Sequence, residues 1–316
     1  VSRLALEEIE RFRLCSFTEK SQRYQKLEDN YLLPDEFIGS SYEAKIKELI
    51  HAQNQAYQAM VSQGIEPEDA RYITSLATFG QVGLTCNARN LELLIRRFAG
   101  SRLSEVRKIG QMLYEQASRI APSLILFTAA SDFDKNTLPV IREALKGKWE
   151  RKRSAGRTCE LIDHTEKADD KLAAALIHSV TSLSYRNSLR LAKKMSMRER
   201  EALLKKSFEK MEFYDSTLRE FEHLFLTYDL ILSSACFAQM KRHRMATITS
   251  QDYEPALGVT LPPKVREQGL EKYFMEVIDR TDQLYNEIKD EFGTAAQYLL
   301  TGAHRRRILM TMNARE

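Results

Sequence analysis

Apolar residues fall at helical spacing in most long runs of this chain, with polar breaks between them. Residues 2–11 carry Leu4, Leu6 and Ile9 and read as the end of a helix. Ile46, Leu49, Ile50, Tyr57, Met60 and Val61 predict a helix over 42–63, which Gly64 ends, and Pro67 opens the next short one. Between 72 and 86, Thr, Val, Ile and Phe with two glycines predict strand and bend instead. Helices follow over 90–99 and 104–121, the second stopped by Pro122. The polar, basic stretch 131–156 reads as an inter-unit linker with room for a helical piece. A short strand at 159–162 then opens a second unit, with helices over 170–192 and 196–211, a strand at 224–228 and a helix over 230–242. Leu270, Phe274, Val277, Leu284 and Ile288 mark a long amphipathic helix closed by Gly293. The expected fold is α+β, helix-rich, with small mixed or antiparallel sheets.

Two stretches repeat. Arg11-Phe12-Arg13-Leu14-Cys15-Ser16 and Arg242-His243-Arg244-Met245-Ala246-Thr247 share an Arg-X-Arg-X-X-Ser/Thr pattern, each at the end of a helical run. Asn87-Ala88-Arg89 recurs as Asn313-Ala314-Arg315, so the step from Arg11 to Asn87 is nearly matched by the step from Arg242 to Asn313. Shared order and near-equal spacing argue for one unit present twice. Copy one is expected over 1–134, a basic linker over 135–157, and copy two over 158–316.

Composition narrows the class. With 316 residues, 43% hydrophobic and 29% charged, the chain can bury sizeable cores and is not a disordered tail. A net charge of +4 admits an anionic ligand without suggesting a nucleic-acid coat. No apolar run reaches the roughly 20 residues of a membrane span, and no leader is visible, so a cytoplasmic protein without a membrane partner is expected. Cys15, Cys86, Cys159 and Cys236 lack the close spacing of a zinc or redox pair, so neither metal nor disulfide is expected. The chain lacks an initiator Met and stops inside a repeated motif, and reads as a piece of a longer protein.

Arg11, Arg13 and Arg23 around a polar turn suit a phosphorylated ligand, because a guanidinium grips phosphate through paired hydrogen bonds. Glu19, Ser21 and Gln22 add groups able to orient a base or sugar. The competing reading is a solvated basic face at a helix end. Asn87 and Arg89 sit where strand turns to helix, a place where Asn87 would also serve as a cap. Arg71 would otherwise pair with Glu68 or Asp69, and His223 and His243 would be packed or solvated.

In combination these residues resemble the flavin-dependent thymidylate synthases, the ThyX family, in a tandem two-copy, divergent form. The family signature is Arg-His-Arg-X-X-Ser followed by a Ser-X-Arg-Tyr arm, and Arg11 to Tyr24 fits it except at Phe12. Ser2-Arg3 matches the pair before that signature, and Ala70-Arg71 and Asn87-Ala88-Arg89 match later motifs. In copy two, Phe221-Glu222-His223 and Gln239 precede Arg242-His243-Arg244 with the family's spacing. The resemblance implies reductive methylation of dUMP to dTMP, with methylenetetrahydrofolate giving the carbon and FAD, reduced by NADPH, the hydride.

By position, Glu19, Ser21, Gln22, Arg23 and Arg71 would hold dUMP from copy one, and Gln239 and Arg242 from copy two. Arg242, His243 and Arg244 would lie against FAD with Asn87, Ala88 and Arg89, while Arg11 and Arg13 are degenerate counterparts. Family members are tetramers with sites between subunits, so a homo-oligomer or a pseudo-tetramer of tandem copies is expected. Copy two has Gln297 where copy one has Arg71, and a shortened arm, so one composite site per pair of copies is expected. The family's ring-ionising Arg falls at Phe98, leaving Arg97 or Arg96 as the candidate catalytic residue. Two other readings stand beside the synthase: a non-catalytic nucleotide- or flavin-binding relative, and a basic nucleic-acid-associated protein.

Overall fold

The computed structural model describes residues 1–24, 27, 30–148 and 157–316. Their contacts divide into two compact units. The first takes Val1–Gly156, Leu232–Arg244 and Asp252–Arg306, and the second Arg157–Ile231, Met245–Gln251 and Arg307–Glu316. The copy boundaries expected at 134 and 158 rest on repeated motifs rather than on compactness, and the units are drawn differently. Residues 149–156 of the expected linker lie outside the described residues.

In chain order the helices are α1 (Arg3–Ile9), α2 (Glu43–Ser62), α3 (Pro67–Ala70), α4 (Ala88–Ala99), α5 (Ser104–Ile120), α6 (Asp132–Ala144), α7 (Ala168–Val180), α8 (Tyr185–Lys194), α9 (Met197–Phe208), α10 (Ser234–Met240), α11 (Pro263–Glu267) and α12 (Glu271–Phe292). The strands are β1 (Ser16–Glu19), β2 (Val82–Thr85), β3 (Cys159–His164), β4 (Phe225–Ser233), β5 (Thr247–Ser250) and β6 (Arg305–Asn313). The fold is helix-rich with small antiparallel sheets, as the hydrophobic pattern predicts. No described helix is long and apolar enough to cross a membrane.

Several boundaries move for local reasons. The helix expected over 170–192 breaks at Thr181, whose backbone is extended and whose hydroxyl donates to Ile177 O, while Ser184 stands at the N-cap of α8. The helix expected over 230–242 starts only at Ser234, because Ser233 caps it by accepting from Cys236 N and the preceding strand runs on to that cap. The helical piece inside the basic stretch is α6, started by a capping box between Ser131 and Asp134.

In the first unit, Leu4 and Ile9 of α1, Ile46 and Ile50 of α2, Leu94 and Phe98 of α4, and Leu284 and Ile288 of α12 share one core with Tyr298. A second cluster joins Tyr57 and Met60 of α2 to Phe274 and Val277 of α12. β1 and β2 form a separate two-stranded antiparallel ribbon, Ser16 opposite Thr85 and Glu19 opposite Val82. In the second unit, α7 packs Leu172 and Leu176 on Phe221 and Leu224, and its other side on Ala192 of α8. The sheet β3-β4-β6-β5 carries the remainder, with Thr247 opposite Thr311 and Ser250 opposite Ile308.

Several elements match in pairs. α1 and α10 have the same length, and each is capped by a serine accepting from the third amide of its helix. The step from Arg3 to Ser234, where these helices begin, equals the step from Ser16 to Thr247, where β1 and β5 begin. Their strand partners match as well, Thr85 standing to Ser16 as Thr311 stands to Thr247. Within the first unit the backbone bonds come in exchanged pairs. Leu76 N donates to Leu300 O and Gly302 N to Thr74 O; Ala77 N donates to Tyr298 O and Ala303 N to Tyr72 O. Ser75 and Thr301, which correspond to each other by the same step that relates Thr85 to Thr311, bridge directly. Bonds related by exchange of the two runs are the mark of a local two-fold axis.

Candidate functional site

β1 ends at Glu19, and the segment beyond it, Lys20 to Tyr24, runs on as an arm. The Glu19 side chain is 8% exposed; Arg3 holds it in a close ion pair and Arg242 Nη2 lies 3.5 Å away. Burial pushes its carboxyl up, but Arg3 and then Lys241 more than offset this and hold it below the usual carboxylate range. Lys241 Nζ sits 2.7 Å from Glu10 Oε2 as a buried ion pair, and among the described residues Glu10 Oε1 has no hydrogen-bond partner. Burial, with Arg3 nearby, pulls the Lys241 ammonium below its usual value.

Glu10, Glu19, Lys241, Arg242 and Arg244 line a cavity of about 310 Å³ with Phe17 and Thr18. Arg244 donates to Cys15 O and places its guanidinium 4.7 Å over the Phe17 ring. Ser21 and Gln22, with Val1, Lys20, Asn30 and Gly80, line a cavity of about 290 Å³. Arg23 stacks its guanidinium 5.1 Å over Tyr24, and its amide donates to Ser21 Oγ at 3.3 Å.

Arg71 is 9% exposed, and its Nε donates to the backbone oxygen of Glu68 at 3.2 Å. The alternative side-chain pairing with Glu68 or Asp69 does not form: among the described residues no carboxylate is bonded to this guanidinium. Burial, then the charges of Arg3 and Arg23, lower its pKa. Glu68 attracts it only at longer range, so this buried cation, repelled by two others and bonded to no carboxylate among the described residues, is costly, and a doubly charged phosphate would relieve that cost.

The other candidates are placed as follows. Gln239 is half-buried near the end of α10, and His243 is exposed in the turn after it. Asn87 caps α4 by accepting from Asn90 N, Ala88 is the first residue of that helix, and Arg89 is exposed. Asn90 Nδ2 donates to Leu14 O, tying the start of α4 to the turn that carries exposed Arg11 and Arg13. Arg96 and Arg97, the candidates for the missing catalytic arginine, both bond Asp134, at 2.8 and 2.9 Å. Arg96 above all holds the Asp134 carboxyl down to about 2. Phe98 is 1% exposed and meets Phe12 edge to face at 5.9 Å. Both aromatic departures from the signature are thus core contacts of one pair.

Sequence reasoning does not single out Lys241 and Glu10. The visible signal is their place: each immediately precedes one of the two Arg-X-Arg motifs. The Cys15 thiol, buried and beside Cys86, is pushed up to about 11, which leaves it a protonated packing group.

The family model described as thymidylate synthase complementing protein matches residues 1–123 and 160–316. The chain belongs to that family. Among curated proteins to which this chain is similar, a UPF0159 protein of Chlamydia pneumoniae is 24% identical over 255 residues, 78% of this chain and 48% of that protein. A flavin-dependent thymidylate synthase of Saccharolobus solfataricus is 30% identical over 133 residues, 40% of this chain and 50% of that one. The chain spans about half the length of the curated relatives it matches. Among solved structures, the flavin-dependent thymidylate synthase ThyX of Helicobacter pylori, complexed with FAD and dUMP, is 16% identical with a TM-score of 0.35, covering 50% of this chain and 80% of that one.

Proposed function

We propose that the chain carries a composite site of the flavin-dependent thymidylate synthase type, built once from two tandem copies, that binds dUMP and methylates it reductively. The observation that carries this reading is Arg71, a buried guanidinium with no carboxylate partner among the described residues, in the field of Arg3 and Arg23. In this reading Arg71 and Arg23 take the phosphate, and Glu19, Ser21 and Gln22 orient the base and sugar. Gln239 and Arg242 reach the same nucleotide from the second copy.

The remaining arginines suit an anionic dinucleotide such as FAD: Arg89 is exposed, as is the imidazole of His243, and Arg242 and Arg244 line a cavity together with Lys241, Glu10 and Glu19. Arg242, His243, Arg244, Asn87, Ala88 and Arg89 would hold it. Reduced FAD would supply the hydride, NADPH the reducing equivalents and methylenetetrahydrofolate the carbon. The chain's own part is to bind, orient and neutralise charge. Glu19, kept ionised by Arg3, accepts hydrogen bonds rather than giving up a proton.

A second reading is favoured by Phe98. With that position in the core and both Arg96 and Arg97 bonded to Asp134, neither of these arginines is left over for the uracil ring. The protein would then bind nucleotide and flavin without methyl transfer. Tritium release from 5-tritiated dUMP, with FAD, NADPH and methylenetetrahydrofolate present, separates the two. Folate-dependent release supports the synthase; binding of dUMP without release supports the second reading.

A further inference from the structure

Glu10 and Lys241 occupy equivalent positions. Each is the C-cap residue of its helix, α1 or α10, and immediately precedes its Arg-X-Arg motif. They are also each other's partner, 2.7 Å apart, with side chains 6% and 2% exposed. In a two-fold arrangement the position that meets its own equivalent lies at the axis, and between identical halves it would meet itself. An identical pair there would bury two like charges within hydrogen-bond distance.

We infer that the Glu10–Lys241 pair is a pairing code: it makes copy one accept copy two and reject a second copy of itself. Pairing copy one with copy one sets Glu10 against Glu10. Pairing copy two with copy two sets Lys241 against Lys241, and, like the pairing of copy one with itself, it separates Arg306 from Glu7. Arg306 donates to Glu7 Oε2 at 2.7 Å, and the second copy has Ala238 at the position equivalent to Glu7, so this buried arginine would lose that carboxylate. A buried ion pair contributes little net stability against an apolar pair of the same size, whereas breaking one is severe. Discrimination between partners is therefore the effect the pair exerts most strongly. The inference rests on the two-copy part of the proposed reading and not on the reaction, so it is tested by assembly rather than turnover.

The test uses the full chain. Glu10→Lys and Lys241→Glu should each lower the melting midpoint by roughly 10 °C, and the exchange Glu10→Lys/Lys241→Glu should recover most of that loss. Because a single reversal also disturbs any buried ion pair, the deciding variant is the neutral pair Glu10→Gln/Lys241→Met. Ser75→Cys serves as reporter: Ser75 faces Thr301 in the present arrangement but would face its own equivalent if two first copies paired. After refolding at tens of micromolar and oxidation, the neutral-pair variant should give at least ten times more 75-to-75 disulfide-linked dimer, mapped by peptide mass, than the parent reporter chain. Equal cross-linking in the two chains would overturn the inference, as would single reversals that melt like the parent.

Discussion

The arm after β1 and the segment after β5 hold equivalent stations, each following its Arg-X-Arg motif and a four-residue strand, and their surroundings differ. At the first, Ser21 and Gln22 border a cavity, Arg71 is buried with no carboxylate bonded to it among the described residues, and Glu19 lies 3.5 Å from Arg242. At the second, Tyr253 stands where Gln22 would, 1% exposed, with its hydroxyl donating to Glu7 at 2.6 Å and its amide to Gln297 Oε1 at 2.9 Å. Arg306 lies 4.0 Å over the same ring, and Asp252, in Ser21's place, takes a bidentate bond from Arg102 at 3.0 and 2.6 Å. One station thus keeps a buried guanidinium bonded to no carboxylate among the described residues; the other has its charges paired and its space filled by an aromatic ring. Closing one station removes the pressure on it to stay open, and its residues can then serve stability.

The largest test of that contrast is Tyr253→Ala. It should destabilise the protein by about 3–5 kcal/mol, as emptying a buried aromatic site does, and leave dUMP affinity at the other station within twofold. Denaturant unfolding beside titration calorimetry reads both, and an affinity that fell with stability would erase the distinction. Next, Arg242→Ala should weaken dUMP about 10- to 100-fold, the value of a charge-assisted bond, whereas Arg11→Ala, its equivalent, should change it less than twofold. Equal losses would mean that both stations bind.

The smallest effect concerns Asp134, whose folded pKa lies below its unfolded one. Its contribution is complete above about pH 4 and fades as pH falls through about 2. Asp134→Asn should abolish that part of the acid profile and free Arg96 and Arg97, which a carboxyl-shift titration and unfolding curves below pH 4 would register. If the freed arginines raised tritium release, they would become catalytic candidates again.

Much of the fold is legible in the sequence because it depends on period and punctuation. α2 and α12 show in their apolar spacing, and Gly64 and Gly293, with φ of 85° and 53°, end them where a left-handed residue is needed. β1 and β5 escape a sequence reading because four residues of mixed polarity have no period to show, and their pairing with β2 and β6 depends on distant chain. The arm residues are legible from their motif, but their partners are not. That Arg96 and Arg97 are claimed by Asp134, or that Lys241 sits on Glu10, follows from packing between positions far apart in the chain.

The ribbon that ends in Glu19 has only two strands of four residues, and two strands alone are marginal in water. Its anchors are side chains at its rim: Arg244 on Cys15 O and Phe17, Arg3 on Glu19, and Asn90 on Leu14 O. Two of those anchors are arginines that an anion would also recruit. The ribbon therefore sets a clock on the site, since amide protons of residues 16–19 should exchange with solvent among the earliest in the first unit, and their slowing marks the moment a ligand has arrived.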